Sequence, residues 1–176
     1  DMTQYSKRMV IAHWLTLVLL VVAWFLGDDL ADATDDSKAT LAGYIMHMSV
    51  GGAILLLTLV RLFFRSKDGT PAPMGVTALD KVARGVHHLL YTVLILLPLS
   101  GVVTVITSDT GKALLSGDAG LLPKEHGYDK VFAHEVHETL ITALILLVAL
   151  HILGAIKHQF ISKDGLMSRM SLRRKD

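Results

Sequence analysis

The sequence predicts an all-α fold: an integral-membrane four-helix bundle that forms a single domain over residues 1–176. Two observations predict this fold class. Of the 176 residues, 52% are hydrophobic and only 19% are charged, whereas charged residues make up about a quarter of a typical soluble domain. Four apolar segments are also long enough to cross a bilayer, which takes about 20 helical residues. Because backbone groups in lipid need partners within their own segment, these segments are predicted to be helices rather than strands.

The four predicted helices follow one another along the chain. They span approximately residues 8–26, 41–64, 88–107 and 131–160. The first helix is expected to end at Gly27-Asp28-Asp29, and residues 68–73 contain too many turn-forming residues to be helical. Pro98 lies inside the third helix and is expected to kink it.

The distribution of charge predicts the orientation of the bundle. Lysine and arginine favour the cytoplasmic side of a membrane. Of the 17 basic residues, 13 lie at or beyond the helix ends on one side, which are the start of the first helix, the end of the second, the start of the third and the end of the fourth: Lys7, Arg8, Arg61, Arg65, Lys67, Lys81, Arg84, Lys157, Lys163, Arg169, Arg173, Arg174 and Lys175. The opposite side has an acidic segment at 28–40 and a mixed segment at 108–130. Both termini are therefore predicted to be cytoplasmic.

Four histidines lie inside the apolar segments: His13, His47, His137 and His151. An imidazole within a bilayer is costly unless it is paired or ligated. At about 1.5 Å per helical residue, the four depths form two pairs. His13 and His151 lie near the predicted cytoplasmic surface, and His47 and His137 near the external one. His137 and His151 are separated by nearly four full turns and therefore share one helix face.

Paired imidazoles at two depths predict two haem groups, one in each leaflet, with each iron held axially by two histidines. The chain has no cysteine, which excludes iron–sulfur clusters and the covalent attachment of c-type haem, so haem b is expected. Iron with two imidazole ligands has no vacant axial position, which favours electron transfer over oxygen binding. Arg61 or Arg65 is expected to neutralise haem propionates on the cytoplasmic side.

Other uses of the histidines were compared with haem ligation. A single membrane histidine is more often a hydrogen-bond partner between helices, but four at paired depths favour ligation. His134 and His137 have i,i+3 spacing rather than that of the HExxH zinc motif, which disfavours zinc. His87 and His158 are expected either to donate to propionates or a quinone carbonyl, or to be ordinary interfacial histidines. Since adjacent helical residues point about 100° apart, only one of His87 and His88 can face the inner haem.

Several segments together resemble the bacterial cytochrome b561 family, whose members are four-helix di-haem membrane proteins and include the superoxide oxidases. The resemblance covers nearly the whole chain, and its combination of motifs is specific. The segments are Ile11-Ala12-His13-Trp14-Leu15, His47-Met48-Ser49-Val50-Gly51, Arg61-Leu62 with Arg65, Leu97-Pro98-Leu99-Ser100-Gly101, His137-Glu138-Thr139-Leu140, His151 and His158-Gln159-Phe160.

The resemblance implies a multi-pass protein of the bacterial inner membrane with two b haems and ubiquinone as electron acceptor. It also implies that His13, His47, His137 and His151 are the axial ligands. In the superoxide oxidases, external superoxide gives its electron to the outer haem, and the electron passes inward to ubiquinone. The expected partners are therefore membrane lipid, ubiquinone and superoxide, with no nucleic acid.

Two alternative functions remain open from the sequence. The first is an electron-transfer subunit that links the quinone pool to a partner dehydrogenase or a periplasmic redox protein, with the acidic residues at 28–36 as a docking surface. The second is a non-redox membrane protein, such as a metal transporter or a scaffold.

Overall fold

The computed structural model describes residues 3–73 and 75–173. Its longer helices are α1 (Lys7–Asp35), α2 (Leu41–Asp68), α3 (Ala78–Thr107), α4 (Asp109–Ser116) and α5 (Phe132–Ile156). A π-helical segment, Lys157–Ser162, continues α5, and two short 3-10 helices cover Ala119–Leu121 and Leu166–Met170. No strand occurs within these described ranges, so the predicted all-α class is confirmed. Two basic residues used to predict the orientation, Arg174 and Lys175, lie outside the described residues.

Four helices are long and apolar enough to span a membrane: α1, α2, α3, and α5 together with its π-helical extension. Large apolar side chains such as Phe25, Leu56 and Leu146 lie exposed on the outside of the bundle. α5 is apolar around its whole circumference and contains no fully buried residue. A helix that is hydrophobic on all sides and not covered by protein is typical of a membrane span. The predicted four-helix membrane bundle is therefore confirmed.

The prediction that the first helix ends at Gly27-Asp28-Asp29 is wrong, because α1 continues to Asp35. Gly27 is needed for close packing between helices rather than for a turn. A Cβ atom at Gly27 would lie only 3.0 Å from Cε1 of His47 on α2. The acidic residues that follow are exposed and extend α1 beyond its apolar segment.

α3 begins at Ala78, ten residues before the predicted start. Thr77 and Asp80 form a capping box that fixes this start. The Asp80 amide donates to Thr77 Oγ1 (3.3 Å), and the Thr77 amide donates to Asp80 Oδ2 (2.8 Å). The first turns of α3 are polar, so hydropathy detects only the later, membrane-spanning part. α3 continues through Pro98 without a break, and the expected kink there stays a prediction.

The predicted loop between the second and third helices is confirmed for residues 69–73, none of which is helical. α2 continues to Asp68, and Gly69 follows with φ of 74°. This left-handed value favours glycine and ends the helix.

α1 packs mainly on α2, α3 packs mainly on α5, and contacts between α2 and α3 join the two helix pairs. Three buried threonine hydroxyls are satisfied within their own helices. Thr16, Thr58 and Thr104 each donate to the carbonyl four residues earlier, at 2.7 to 2.9 Å. This arrangement places these three hydroxyls inside the bundle with each donor paired.

The connection between α3 and α5 has more structure than the sequence predicted. The short helix α4 buries Ala113 against Tyr44 of α2 and Leu122. Tyr128 donates its hydroxyl hydrogen to Tyr44 (2.8 Å), and the hydroxyl of Thr110 lies 2.5 Å from that of Tyr128. Burial raises the pKa of Tyr128. These contacts close one end of the bundle.

The opposite end of the bundle holds the first and last segments that the structure describes. Gln4 donates to the backbone carbonyl of Ser168 (2.7 Å), and the indole of Trp14 donates to the carbonyl of Met170 (3.1 Å). The N-terminal segment and the second 3-10 helix are therefore held together at one end, as four membrane crossings require.

Candidate functional site

The structure places the four membrane histidines in two facing pairs. His13 on α1 and His151 on α5 have ring centroids 6.1 Å apart, and we call them the inner pair after the predicted orientation. His47 on α2 and His137 on α5 have ring centroids 6.3 Å apart, and we call them the outer pair. Because α5 is continuous from 137 to 151, the two pairs lie about 21 Å apart along its axis.

The spacing within each pair suits one metal ion held between two imidazoles. Imidazole nitrogens bind zinc at about 2.0–2.1 Å, and similar bonds on both sides of a metal would separate the ring centroids by about 6 Å. The observed separations of 6.1 and 6.3 Å agree with that value. Each pair also joins α5 to a different helix, so a group bound there would link helices across the bundle.

In the outer pair, hydrogen bonds hold His137 in a form that can bind metal. Its Nδ1 lies 3.0 Å from the Leu97 carbonyl oxygen and 2.9 Å from Ser100 Oγ on α3. The Ser100 hydroxyl itself donates to the Leu97 carbonyl (2.6 Å). A carbonyl oxygen can only accept, so the proton of a neutral His137 belongs on Nδ1. This arrangement leaves the Nε2 lone pair of His137 free for a metal.

Two glycines make room for the outer pair. A Cβ atom at Gly101 on α3 would lie 3.2 Å from Cε1 of His137, and one at Gly27 would lie 3.0 Å from Cε1 of His47. Nδ1 of His47 is buried and makes no hydrogen bond within the described part of the chain, although the backbone of Ala23 is close enough to interact with it. The two rings are thus held by close backbone approach on either side.

In the inner pair, His13 faces a cation. Nη2 of Arg61 lies 3.2 Å from Nδ1 of His13, and Cζ of Arg61 lies 5.4 Å from the ring centroid of Tyr91. A guanidinium group can only donate, so Nδ1 of His13 accepts in this arrangement. Ligation through Nε2 with a proton on Nδ1 therefore requires Arg61 to turn away from that nitrogen. Nε of Arg61 is buried without a partner in the described residues and is available to an anionic group.

A third imidazole lies beside the inner pair. The ring centroid of His87 on α3 is 5.2 Å from that of His151, closer than that of His13. His87 is therefore the one of the two adjacent histidines that faces the inner pair, while His88 lines a neighbouring cavity. This cavity, of about 310 Å³, opens between α2 and α3 and is lined by Leu62, Arg65, His87, His88, Tyr91, Thr92 and Ile95.

The structure places His158 against Asp164, whose Oδ2 lies 2.5 Å from Nδ1 of His158. This hydrogen bond is the largest cause of a lowered pKa for Asp164. If the α-helix continued through residue 158, His158 would share the face of His151, which lies seven residues earlier. The backbone becomes π-helical at Lys157, and its wider turn shifts the direction of every later side chain.

His134 lies outside the outer pair. The ring of His134 stacks on Tyr128 at 4.5 Å between centroids, so the outer pair is formed with His137 rather than with His134. Sequence reasoning did not assign roles to Ser100, Gly27 or Gly101. Ser100 and Gly101 lie two and three residues after Pro98. Small residues in a membrane helix allow close helix packing, but they do not identify the ring that they contact.

The fold and the paired histidines together define an all-helical membrane protein with two candidate metal-binding levels. Comparison with known proteins is consistent with this class. The family model for prokaryotic cytochrome b561 matches residues 4–171. The chain therefore belongs to the prokaryotic cytochrome b561 family, and the predicted resemblance is confirmed.

Three relatives cover nearly the full length of the chain. Cytochrome b562 of Cereibacter sphaeroides is 30% identical over 94% of each chain. Cytochrome b561 homolog 1 of Escherichia coli K12 is 25% identical over 99% of this chain and 100% of its own. The probable superoxide oxidase CybB of Yersinia pestis is 24% identical over 95% of each chain. Membership of this family makes the chain a multi-pass bacterial membrane protein that uses haem b for electron transfer.

Proposed function

We propose that this cytochrome carries two b haems, one at each histidine pair, and transfers electrons from external superoxide to ubiquinone across the bacterial inner membrane. The observation that supports this most strongly is the stacking of two facing imidazole pairs along α5, each at a spacing suited to a shared metal. In this proposal the termini and the inner pair are cytoplasmic, and His13, His151, His47 and His137 are the axial ligands.

When bound, each haem would be held by one histidine pair and would supply a one-electron carrier. The protein contributes the imidazole rings and an apolar environment around them. His137 is held by Leu97 and Ser100 on one helix, and lipid-facing apolar side chains exclude water from the bundle. Nε of Arg61 is available to a propionate near the inner pair, and Arg65 borders the adjacent cavity.

Superoxide as donor is supported by the family resemblance and by the name of the Yersinia pestis relative. Superoxide becomes oxygen by losing one electron, and the step needs neither a proton nor a vacant coordination position. Two such electrons, together with two protons, convert ubiquinone to ubiquinol. Proton uptake is thus needed only where the quinone binds.

The cavity between α2 and α3 is suited to the quinone headgroup. It lies beside the inner pair through His87, and its lining includes the donors Arg65, His88 and Tyr91. A quinone has two carbonyl oxygens that accept hydrogen bonds, and histidine exchanges protons near neutral pH. His87 is therefore assigned to quinone binding or protonation. His158, paired with Asp164, is assigned to proton supply at the same end.

A second candidate function is electron transfer to a partner protein. The extension of α1 carries exposed carboxylates at Asp28, Asp29, Asp32 and Asp35. A negative surface next to the outer pair would repel superoxide and attract a basic redox protein. This surface favours an electron-transfer subunit as the alternative.

Stopped-flow spectroscopy of the purified protein in lipid nanodiscs separates these functions. We expect superoxide to reduce the haems rapidly and ubiquinone to reoxidise them, with added superoxide dismutase abolishing the reduction. The variant His87→Ala should slow reoxidation by quinone and leave reduction by superoxide unchanged, because His87 lies only at the inner level. Haems that stay oxidised in the presence of superoxide would exclude the superoxide oxidase and leave the partner-linked function.

A further inference from the structure

The two histidine pairs differ in the group that lies against Nδ1 of one histidine. The histidines compared are His137 in the outer pair and His13 in the inner pair. At the outer pair, Nδ1 of His137 donates to two oxygens, those of Leu97 and Ser100. At the inner pair, Nδ1 of His13 faces the guanidinium group of Arg61. An oxygen acceptor and a fixed cation have opposite effects on a metal held by the other nitrogen of the ring.

An imidazole that donates its N–H to an oxygen becomes more basic and gives more electron density to the metal. Greater donation stabilises the oxidised metal and lowers its reduction potential. The Ser100 hydroxyl is well placed for this effect, because its own hydrogen is used on the Leu97 carbonyl (2.6 Å) and its lone pairs face His137.

A positive charge beside the other site works in the opposite direction. Arg61 stays positively charged because arginine is not deprotonated in proteins, and its side chain is half-buried. Its attraction for an added electron is stronger in the low dielectric of the bundle than in water. Cζ of Arg61 also lies 5.4 Å from the ring centroid of Tyr91.

More distant charges act in the same directions as these neighbours: they are positive near the inner pair and negative near the outer pair. Arg65 borders the cavity beside His87 on the inner side. On the outer side, α1 continues past Gly27 into the exposed carboxylates of Asp28 and Asp29. These charges are partly screened by salt, but they increase the difference in reduction potential between the two sites rather than cancel it.

We propose that Ser100 and Arg61 are positioning residues that give the two haem sites unequal reduction potentials, with the lower potential at the outer pair. The inference rests on the proposed di-haem function. With both sites loaded, one electron given up at the outer site would be taken up at the inner site, so that the first is oxidised and the second reduced with no proton or further reactant. Electrons from outside therefore move inward to the site of higher potential, and the direction of transfer is built into the axial-ligand environment.

A redox titration of the visible haem spectrum tests the inference on the full-length protein in nanodiscs. The wild type should titrate with two distinct midpoint potentials. Ser100→Ala should raise the lower midpoint only, by the equivalent of about a two- to tenfold change in the oxidised-to-reduced ratio, the effect of one neutral hydrogen bond. Arg61→Gln should lower the higher midpoint only, and Arg61→Lys should restore it in part.

Two variants serve as matched controls. Thr104→Ala removes a buried hydroxyl one turn from Ser100 that donates to its own helix, and Lys67→Gln removes an exposed charge from the helix of Arg61. Both should leave the two midpoints unchanged. A single midpoint for both haems, or a shift of the higher midpoint in Ser100→Ala, would overturn the inference and leave the proposed function intact. A wild type that binds fewer than two haems would overturn both.

Discussion

At the scale of single residues, the chemistry of the site depends on small groups that make room for imidazole rings. Gly27 and Gly101 approach the two rings of the outer pair so closely that a Cβ atom would lie 3.0 Å and 3.2 Å from them, tighter than an ordinary van der Waals contact. The four ligand candidates could be found from the sequence because histidines in apolar segments are rare and their depths can be counted. The roles of the two glycines could not be found from the sequence, because each glycine contacts a histidine ring that belongs to a different helix.

Gly27→Ala should therefore damage the outer pair selectively. The new Cβ atom, 3.0 Å from Cε1 of His47, has to displace the ring or separate α1 from α2. Overpacking of this kind typically costs about 1–3 kcal/mol. We expect haem content, measured by the pyridine haemochrome assay, to fall from two towards one per chain.

The matched control for this variant is Gly85→Ala on α3, where a Cβ atom meets nothing within 4 Å. It should keep the full haem content. Equal haem content in Gly27→Ala and the wild type would show that Gly27 does not position His47.

At the scale of elements, hydropathy predicted the membrane-spanning parts of the helices and missed everything beyond them. The polar start of α3, the extension of α1 and the short helix α4 contain too few apolar residues to be detected. The π-helical end of α5 was missed for another reason. A change from α- to π-helix leaves no clear signal in the sequence, yet it changes the direction of the His158 side chain relative to His151.

α4 is held in place by the hydroxyl groups of Thr110, Tyr128 and Tyr44, and this network should depend on pH. Burial raises the pKa of Tyr128 above its ordinary value of about 10. A raised pKa means that the neutral phenol stabilises the fold fully below about pH 10, and that this stabilisation is lost as pH rises through the higher folded-state value.

Tyr128→Phe tests this network, since it removes the hydroxyl and its ionisation together. At pH 8 the variant should be less stable than the wild type by about 1 kcal/mol, the net contribution of a buried hydrogen bond. At pH 11 the difference should be smaller. Thermal unfolding followed by circular dichroism measures both values, and a difference that grows between pH 8 and pH 11 would contradict the assignment.

At the scale of the whole molecule, the bundle is asymmetric from one end to the other. One end is closed by α4 and preceded by exposed carboxylates. The other end holds the described N- and C-terminal segments, the inner histidine cluster and the cavity beside it. The charge distribution predicts that the second end is cytoplasmic. The proposed inward electron transfer requires this orientation.

The absence of cysteine allows the orientation to be tested with single cysteines. Ser37→Cys places an exposed thiol between α1 and α2, and Ser66→Cys places one near the end of α2. A membrane-impermeant maleimide applied to intact spheroplasts should label the first variant only. After permeabilisation it should label both, and the reverse labelling pattern would show that the bundle is inverted.

The central claim is that each of two histidine pairs holds one haem b. The most direct measurement is the number of haems bound per chain in the wild type, in His47→Ala, and in His126→Ala, which removes an exposed histidine outside both pairs. The account predicts two, one and two haems, with the low-spin haem b spectrum retained in all three. A wild type that binds one haem or none, or a His47→Ala variant that still binds two, would contradict it.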